Sequence, residues 1–335
     1  MSEQQLLRSC LETGLQAYNA GNLQDAQHAF ERALKIIPDH PDALNFYGVT
    51  LLQLGQAASA LDYLRRASHL QRNNPAVLGN LAQAYFDLKR YDEAREIFRK
   101  AGRLDPRAVQ FPLGAANSFA MQGNFEAAAD LLQKLSSRYP QAALVWFNLG
   151  NVQRDLQRAA EALESFRKAL ALDPHLAVAR NNLAGVLHSM LRFEDAEREY
   201  RECIRGAPDY LLARCNLASV VIDLGRFDEA ATLCRDIISL APELPLAHTF
   251  LGATLSHQGR VLDALASHAT AARLSPNDAK IAQNHAAALA DSGRFRESAH
   301  WFARALALNP DLKSTHQLLA HTLLGHGFFS EGWAE

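Results

Sequence analysis

The sequence predicts an all-α solenoid, a right-handed superhelix of helix–turn–helix repeats, and three ladders of residues 34 positions apart predict it. Pro106, Pro140, Pro174, Pro208, Pro242, Pro276 and Pro310 form the first ladder, with Pro38 two periods earlier. Small residues form the second: Ala26, Ala60, Ala94, Ala128, Ala162, Ala196, Ala230 and Ala264, then Ser298. The third holds Gly14, Gly48, Ala82, Ala116, Gly150, Ala184, Ala218, Gly252, Ala286 and Ala320.

Each ladder has a physical cause. Proline lacks an N–H donor and disfavours helix at the residue before it, so each one ends a helix and forces a turn. The small residues mark where paired helices approach closely, because a larger side chain would push the axes apart. Between them, apolar residues recur at helical spacing, as in Leu78, Leu81 and Tyr85, then Ala94, Phe98 and Ala101. Each repeat therefore reads as helix A, a short turn often marked by glycine (Gly21, Gly55, Gly123, Gly225, Gly259, Gly293), helix B, and a proline-marked loop.

Composition narrows the function classes. The 335 residues are 48% hydrophobic and 21% charged, with a formal net charge of −2 and both signs mixed throughout. No basic stripe favours a polyphosphate, so nucleic acid is not an expected partner. No apolar run is long enough to span a bilayer, and the N-terminus lacks the pattern of a secretory signal. Cys10, Cys203, Cys215 and Cys234 show neither a disulfide framework nor metal spacing. A reducing, cytoplasmic address is expected.

A 34-residue unit with small residues at positions 8 and 20, an aromatic near 24 and proline at 32 resembles the tetratricopeptide repeat family. Trp146, Leu149, Gly150, Ala162, Phe166 and Pro174 carry the resemblance most fully. The repeats run over 7–40, 41–74, 75–108, 109–142, 143–176, 177–210, 211–244, 245–278 and 279–312, with a truncated tenth over 313–335 in one solenoid. Two departures stand out. Arg72 replaces the second repeat's proline, and Pro112 with Gly114 sits at the start of helix A in the fourth, which predicts a frayed helix start or a hinge.

In such solenoids helix A lines the concave surface where ligands bind. Positions 2, 5, 6, 9, 12 and 13 of helix A share that face. Position 6 holds Asn80, Asn148, Asn182, Asn216 and Asn284, and position 13 holds Asp87, Asp155, Asp223 and Asp291. An amide offers a donor and an acceptor, as a peptide unit does, so these asparagines are candidate ligands for an extended polypeptide. They equally fit consensus usage in which the amide bonds locally.

The row resembles the asparagine ladder of O-GlcNAc transferases, which implies a polypeptide substrate held by those five asparagines. Glu12, Phe46, Gly114 and Phe250 interrupt it. The dicarboxylate clamp of chaperone-binding members needs basic residues at positions 2 and 5, which hold Ala76 and Gly79, Leu144 and Phe147, Val178 and Asn181, and Leu212 and Cys215. A clamp of that kind is not expected.

Catalytic spacing is missing. The sequence holds no H-E-x-x-H, P-loop, G-x-G-x-x-G or G-x-S-x-G. His248, His257 and His268 share one repeat but not one helical face, and read as surface or partly packed histidines. Cys215, at position 5 of the groove face, has no predicted base partner and reads as a free buried or semi-buried thiol. No metal and no cofactor are expected. Leu323, Leu324, Gly327, Phe329, Glu331, Gly332 and Trp333 resemble the junction where bacterial repeat proteins continue into a glycosyltransferase domain, which implies a longer parent enzyme. The same apolar end predicts self-association. The expected function is a protein-binding scaffold without catalysis of its own; the alternative is the substrate-recognition arm of a glycosyltransferase.

Overall fold

The structure, a computed structural model, describes residues 2–325. Nineteen helices lie among those residues, in two compact units that divide between Pro174 and His175. The first unit opens with α1 (Glu3–Asn19), α2 (Leu23–Ile36), α3 (Pro41–Gln53), α4 (Ala57–Leu70) and α5 (Pro75–Asp87). It continues with α6 (Tyr91–Leu104), α7 (Gln110–Met121), α8 (Phe125–Arg138), α9 (Ala143–Asp155) and α10 (Ala159–Leu172). The second holds α11 (Ala177–Ser189), α12 (Phe193–Gly206), α13 (Leu211–Asp223), α14 (Phe227–Leu240) and α15 (Pro245–His257). After these come α16 (Val261–Leu274), α17 (Ala279–Asp291), α18 (Phe295–Leu308) and α19 (Lys313–Gly325). The expected second helix of the tenth repeat, with Phe328, Phe329 and Trp333, lies outside the described residues.

Odd-numbered helices are the A helices and even-numbered ones the B helices. From α3 onward each A helix starts at the residue the 34-residue register sets, except α7, which starts one residue late. Its start is not frayed: Val109 is already helical at φ −64° and ψ −26°, and Leu113 N–H donates to its carbonyl at 3.1 Å.

The turn inside each hairpin explains its glycine. Gly21, Gly55, Gly123, Gly225, Gly259 and Gly293 all have φ between 73° and 80°, the left-handed conformation that closes a helix. Lys89, Gln157 and Leu191 occupy the same position in the three repeats without glycine, and adopt φ of 60–61°. The next N–H then bonds back over the turn, as from Arg192 to the Leu187 carbonyl at 3.0 Å. The hydrogen-bond closure holds the left-handed residue in place whatever its side chain.

Packing follows the small-residue ladders. The alanines at position 20 are no more than 1% exposed. Ser298, their last counterpart, satisfies its hydroxyl on the Ala286 carbonyl at 2.8 Å across the hairpin. At position 8 a Cβ on Gly14 would lie 2.6 Å from the Phe30 ring, and one on Gly150 would lie 2.8 Å from Phe166. The B-helix side chain at position 24 thus rests directly on the A-helix backbone.

His268 occupies that position in the eighth repeat, and a Cβ on Gly252 would lie 2.7 Å from its ring. It is only 5% exposed, so it is a core residue rather than a surface or partly packed one. Its place in the repeat, not its spacing from other histidines, decides this.

Candidate functional site

The five asparagines at position 6 are all half-buried on the A helices. Their amides are partly committed within the chain. Asn80 Nδ2 donates to Asn45 Oδ1 at 2.9 Å, and Asn216 Nδ2 donates to Asn181 Oδ1 at 3.0 Å. Both bonds span 35 residues, joining position 6 of one A helix to position 5 of the helix before it. The same offset joins Gln53 to Tyr18 and His188 to Asp223, so it is the register in which successive A helices meet.

Asn148 instead donates to the Leu144 carbonyl of its own helix at 2.9 Å. Asn182 accepts from Asn181 Nδ2 at 3.1 Å. Asn284 has no hydrogen-bond partner among the described residues. A primary amide can make about four hydrogen bonds, so one internal bond leaves capacity for a ligand.

The position-13 aspartates are exposed. Gln83 Nε2 donates to Asp87 at 2.7 Å, Arg154 pairs with Asp155 at 2.9 Å, and His188 Nε2 lies 2.6 Å from Asp223. Asp291 has no partner among the described residues.

Position 5 points into the seam between A helices. Asn181 and Cys215 are 5% and 1% exposed, and burial pushes the Cys215 thiol up to about 11. Cys215 is therefore a core thiol with little nucleophilic character at neutral pH. Position 2 does the opposite, and carries Val178 and Leu212 of the second unit exposed at 40% and 46%. An apolar side chain thus stands one turn from the half-buried amide on α11 and again on α13.

In the first unit the same face opens into a pocket of about 420 Å³ between α5 and α7. The amides of Asn80, Gln83, Gln110 and Asn117 line it above an apolar floor of Phe98 and Phe111. Gln110 and Asn117 have no hydrogen-bond partner among the described residues.

Two glycines make the floor. A Cβ on Gly79 would lie 2.6 Å from the Phe111 ring, and one on Gly114 would lie 2.6 Å from Phe98. Gly114, where the asparagine row breaks, is thus the seat of a neighbouring ring and not a hinge. Gln83, Gln110 and Asn117 occupy positions 9, 2 and 9 of the predicted stripe, so the register contained them although the asparagine row did not. Among the described residues no group of three or more His, Cys, Asp or Glu is placed to hold a metal.

A family model described as "Tetratricopeptide repeat" matches residues 113–177 and 189–245. A second, described as "Anaphase-promoting complex, cyclosome, subunit 3", matches 19–101. The chain folds as a tetratricopeptide-type α-solenoid. A solved tetratricopeptide repeat protein from Parabacteroides merdae shares the fold, with a TM-score of 0.62 at 16% identity over 73% of this chain and 97% of that one. Anaphase-promoting complex subunit 3 of Schizosaccharomyces pombe is 23% identical over 150 residues, 45% of this chain and 23% of its own length. Mouse Protein O-mannosyl-transferase TMTC3 is 27% identical over 157 residues, 46% of this chain and 17% of its own length. The chain thus spans less than a quarter of the length of either curated relative. No helix among the described residues is long and apolar enough to cross a membrane.

Proposed function

We propose that this chain is a protein-interaction scaffold that holds an extended segment of a partner protein along its A-helix faces, with no catalysis of its own. The pocket between α5 and α7 carries the reading, because four amides converge there over aromatic rings. Amides match the donors and acceptors of a peptide backbone, and the floor accepts one side chain. Asn182 and Asn216, flanked by Val178 and Leu212, offer the second unit's version. Each hydrogen bond nets only about 0.5–1.5 kcal/mol, so affinity rests on several amides acting together.

Replacing Asn80 and Asn117 together by alanine is expected to weaken binding of a neutral, unstructured 20-residue peptide of Ser, Thr, Val and Gln by roughly tenfold, from about two lost bonds. Far-ultraviolet circular dichroism should stay unchanged. Equal affinity of variant and parent in fluorescence anisotropy would show that the amides serve only the fold.

A second reading makes the chain the substrate-holding arm of a protein glycosyltransferase. The asparagine row supports it, as does the similarity to an O-mannosyl-transferase. The reading frame is then expected to run past Glu335 into an α/β domain. A stop codon directly after Glu335 sinks that reading and leaves the scaffold untouched.

A further inference from the structure

A second cavity opens on the B-helix side of the first unit, between α6 and α8, with a volume of about 450 Å³. We propose that it is a separate docking site for an acidic peptide segment that inserts one large apolar side chain. Phe98, Phe119 and Leu131 provide apolar walls. Around them stand four cations, Arg99, Arg103, Lys134 and Arg138, against a single carboxylate, Asp130. The chain as a whole carries a formal charge of −2, so a local excess of positive charge runs against its composition.

Among the described residues none of these cations is neutralised by an acid of the chain. Elsewhere an arginine that opens a B helix commonly pairs with an acid three residues on, as in Arg90–Glu93, Arg192–Asp195, Arg260–Asp263 and Arg294–Glu297. Arg99, Arg103 and Lys134 form no ion pair among the described residues and are exposed. Arg138 forms no ion pair either: it donates to the Pro106 carbonyl at 3.0 Å and lies over the Tyr139 ring at 5.3 Å, as Arg99 lies over Phe119 at 6.0 Å. Unpaired cations around an apolar cavity favour a ligand with carboxylates flanking a hydrophobic side chain.

The cavity has a cause in the sequence. Gly102 lines it, at a B-helix position that holds Leu34, Leu170, Ile204, Ile238 and Leu306 in five other repeats and Ser68, Ser136 and Ala272 in the remaining three. A Cβ on Gly102 would meet Phe111 and Pro112 only at ordinary contact, 3.6 and 3.7 Å, so close packing does not require glycine there. The missing side chain is the space.

A peptide fits better than a nucleic acid. A base would need an aromatic face to stack on, and Arg95 and Arg138 already lie over the Phe119 and Tyr139 rings at 4.2 and 5.3 Å. Phe98 lines both this cavity and the amide-lined pocket, so the two sites share one residue.

The test uses the full chain and a fluorescein-labelled decapeptide of Glu and Asp with one central Phe. Binding is expected to weaken at least tenfold for Arg99→Glu combined with Arg103→Glu. It should weaken similarly for Gly102→Leu, which installs the side chain of the first, fifth and ninth repeats. Exchanging the central Phe of the peptide for Ala should also cost tenfold, and affinity should fall with added salt. Binding unchanged by either variant overturns the proposal. So does tighter binding of a labelled oligothymidylate than of the peptide. The neutral peptide's affinity should be unaffected by the arginine variant, which separates this site from the amide-lined one.

Discussion

Phe166→Ala is expected to destabilise the first unit by about 3–5 kcal/mol, the range for deleting a fully buried aromatic ring. The ring is 0% exposed and rests on the A-helix backbone, with a Cβ on Gly150 falling 2.8 Å away. It also meets Phe147 at 6.2 Å between centroids. Repeats exchange stability with their neighbours only, so the loss should appear as a lower midpoint for the first unit's transition in urea, followed by circular dichroism.

Trp146→Ala is the matched control. That indole is half-buried, donates Nε1–H to the Pro140 carbonyl at 3.0 Å and has the Lys168 ammonium 4.6 Å from its ring. Its removal leaves a solvent-filled notch instead of a cavity and should cost about half as much. If the two variants lose equal stability, the position-24 ring is not the keystone of the hairpin.

The fold was legible because the interactions that make it are local and periodic. A proline every 34 residues and two small-residue ladders locate the hairpins and their closest approaches without any knowledge of partners. The site was legible only as a face. Spacing places Asn80 and Asn216 on that face but cannot show that each bonds the preceding A helix, because that bond depends on the 35-residue offset set by how hairpins stack. Gly114 reads as a helix breaker in one dimension and as a ring seat in three. The cationic cavity arises from one absent side chain, Gly102, together with cations from two helices, and no single motif encodes it.

His268 shows the converse, since counting the register puts it at the position of Phe30, Phe98, Phe166 and Phe302. Filling that position with an ionisable ring makes the second unit acid-sensitive. Burial, and then the neighbouring His285, lowers the His268 pKa from 6.5 to about 4. Burial, then Arg294, also lowers that of His285, with Glu297 acting weakly the other way. The Nδ1 atoms of both rings are buried without a hydrogen-bond partner, and His285 packs edge-on against Trp301 at 4.7 Å.

A depressed histidine pKa means that the folded state holds the ring neutral while the unfolded chain takes up a proton first. Stability is therefore complete above about pH 6.5 and is lost as the pH falls from there towards 4. For His268 alone the loss is about 2 kcal/mol by pH 5 and about 3 kcal/mol by pH 4.

His268→Phe should remove that loss. Phenylalanine already sits over a position-8 glycine in the first and fifth repeats, where the gap to the added Cβ is 2.6 and 2.8 Å against 2.7 Å here. The variant is expected to gain about 1 kcal/mol at pH 7.5 from the removed orphan nitrogen. The advantage should widen to about 3 kcal/mol at pH 5. Thermal melts of both proteins at the two pH values measure the difference directly. Carboxylate protonation affects both proteins alike, so only the gap between them reports on His268. A gap that stays constant from pH 7.5 to 5 would mean that the ring is protonated inside the fold, and that the repeat has some way to accept the charge.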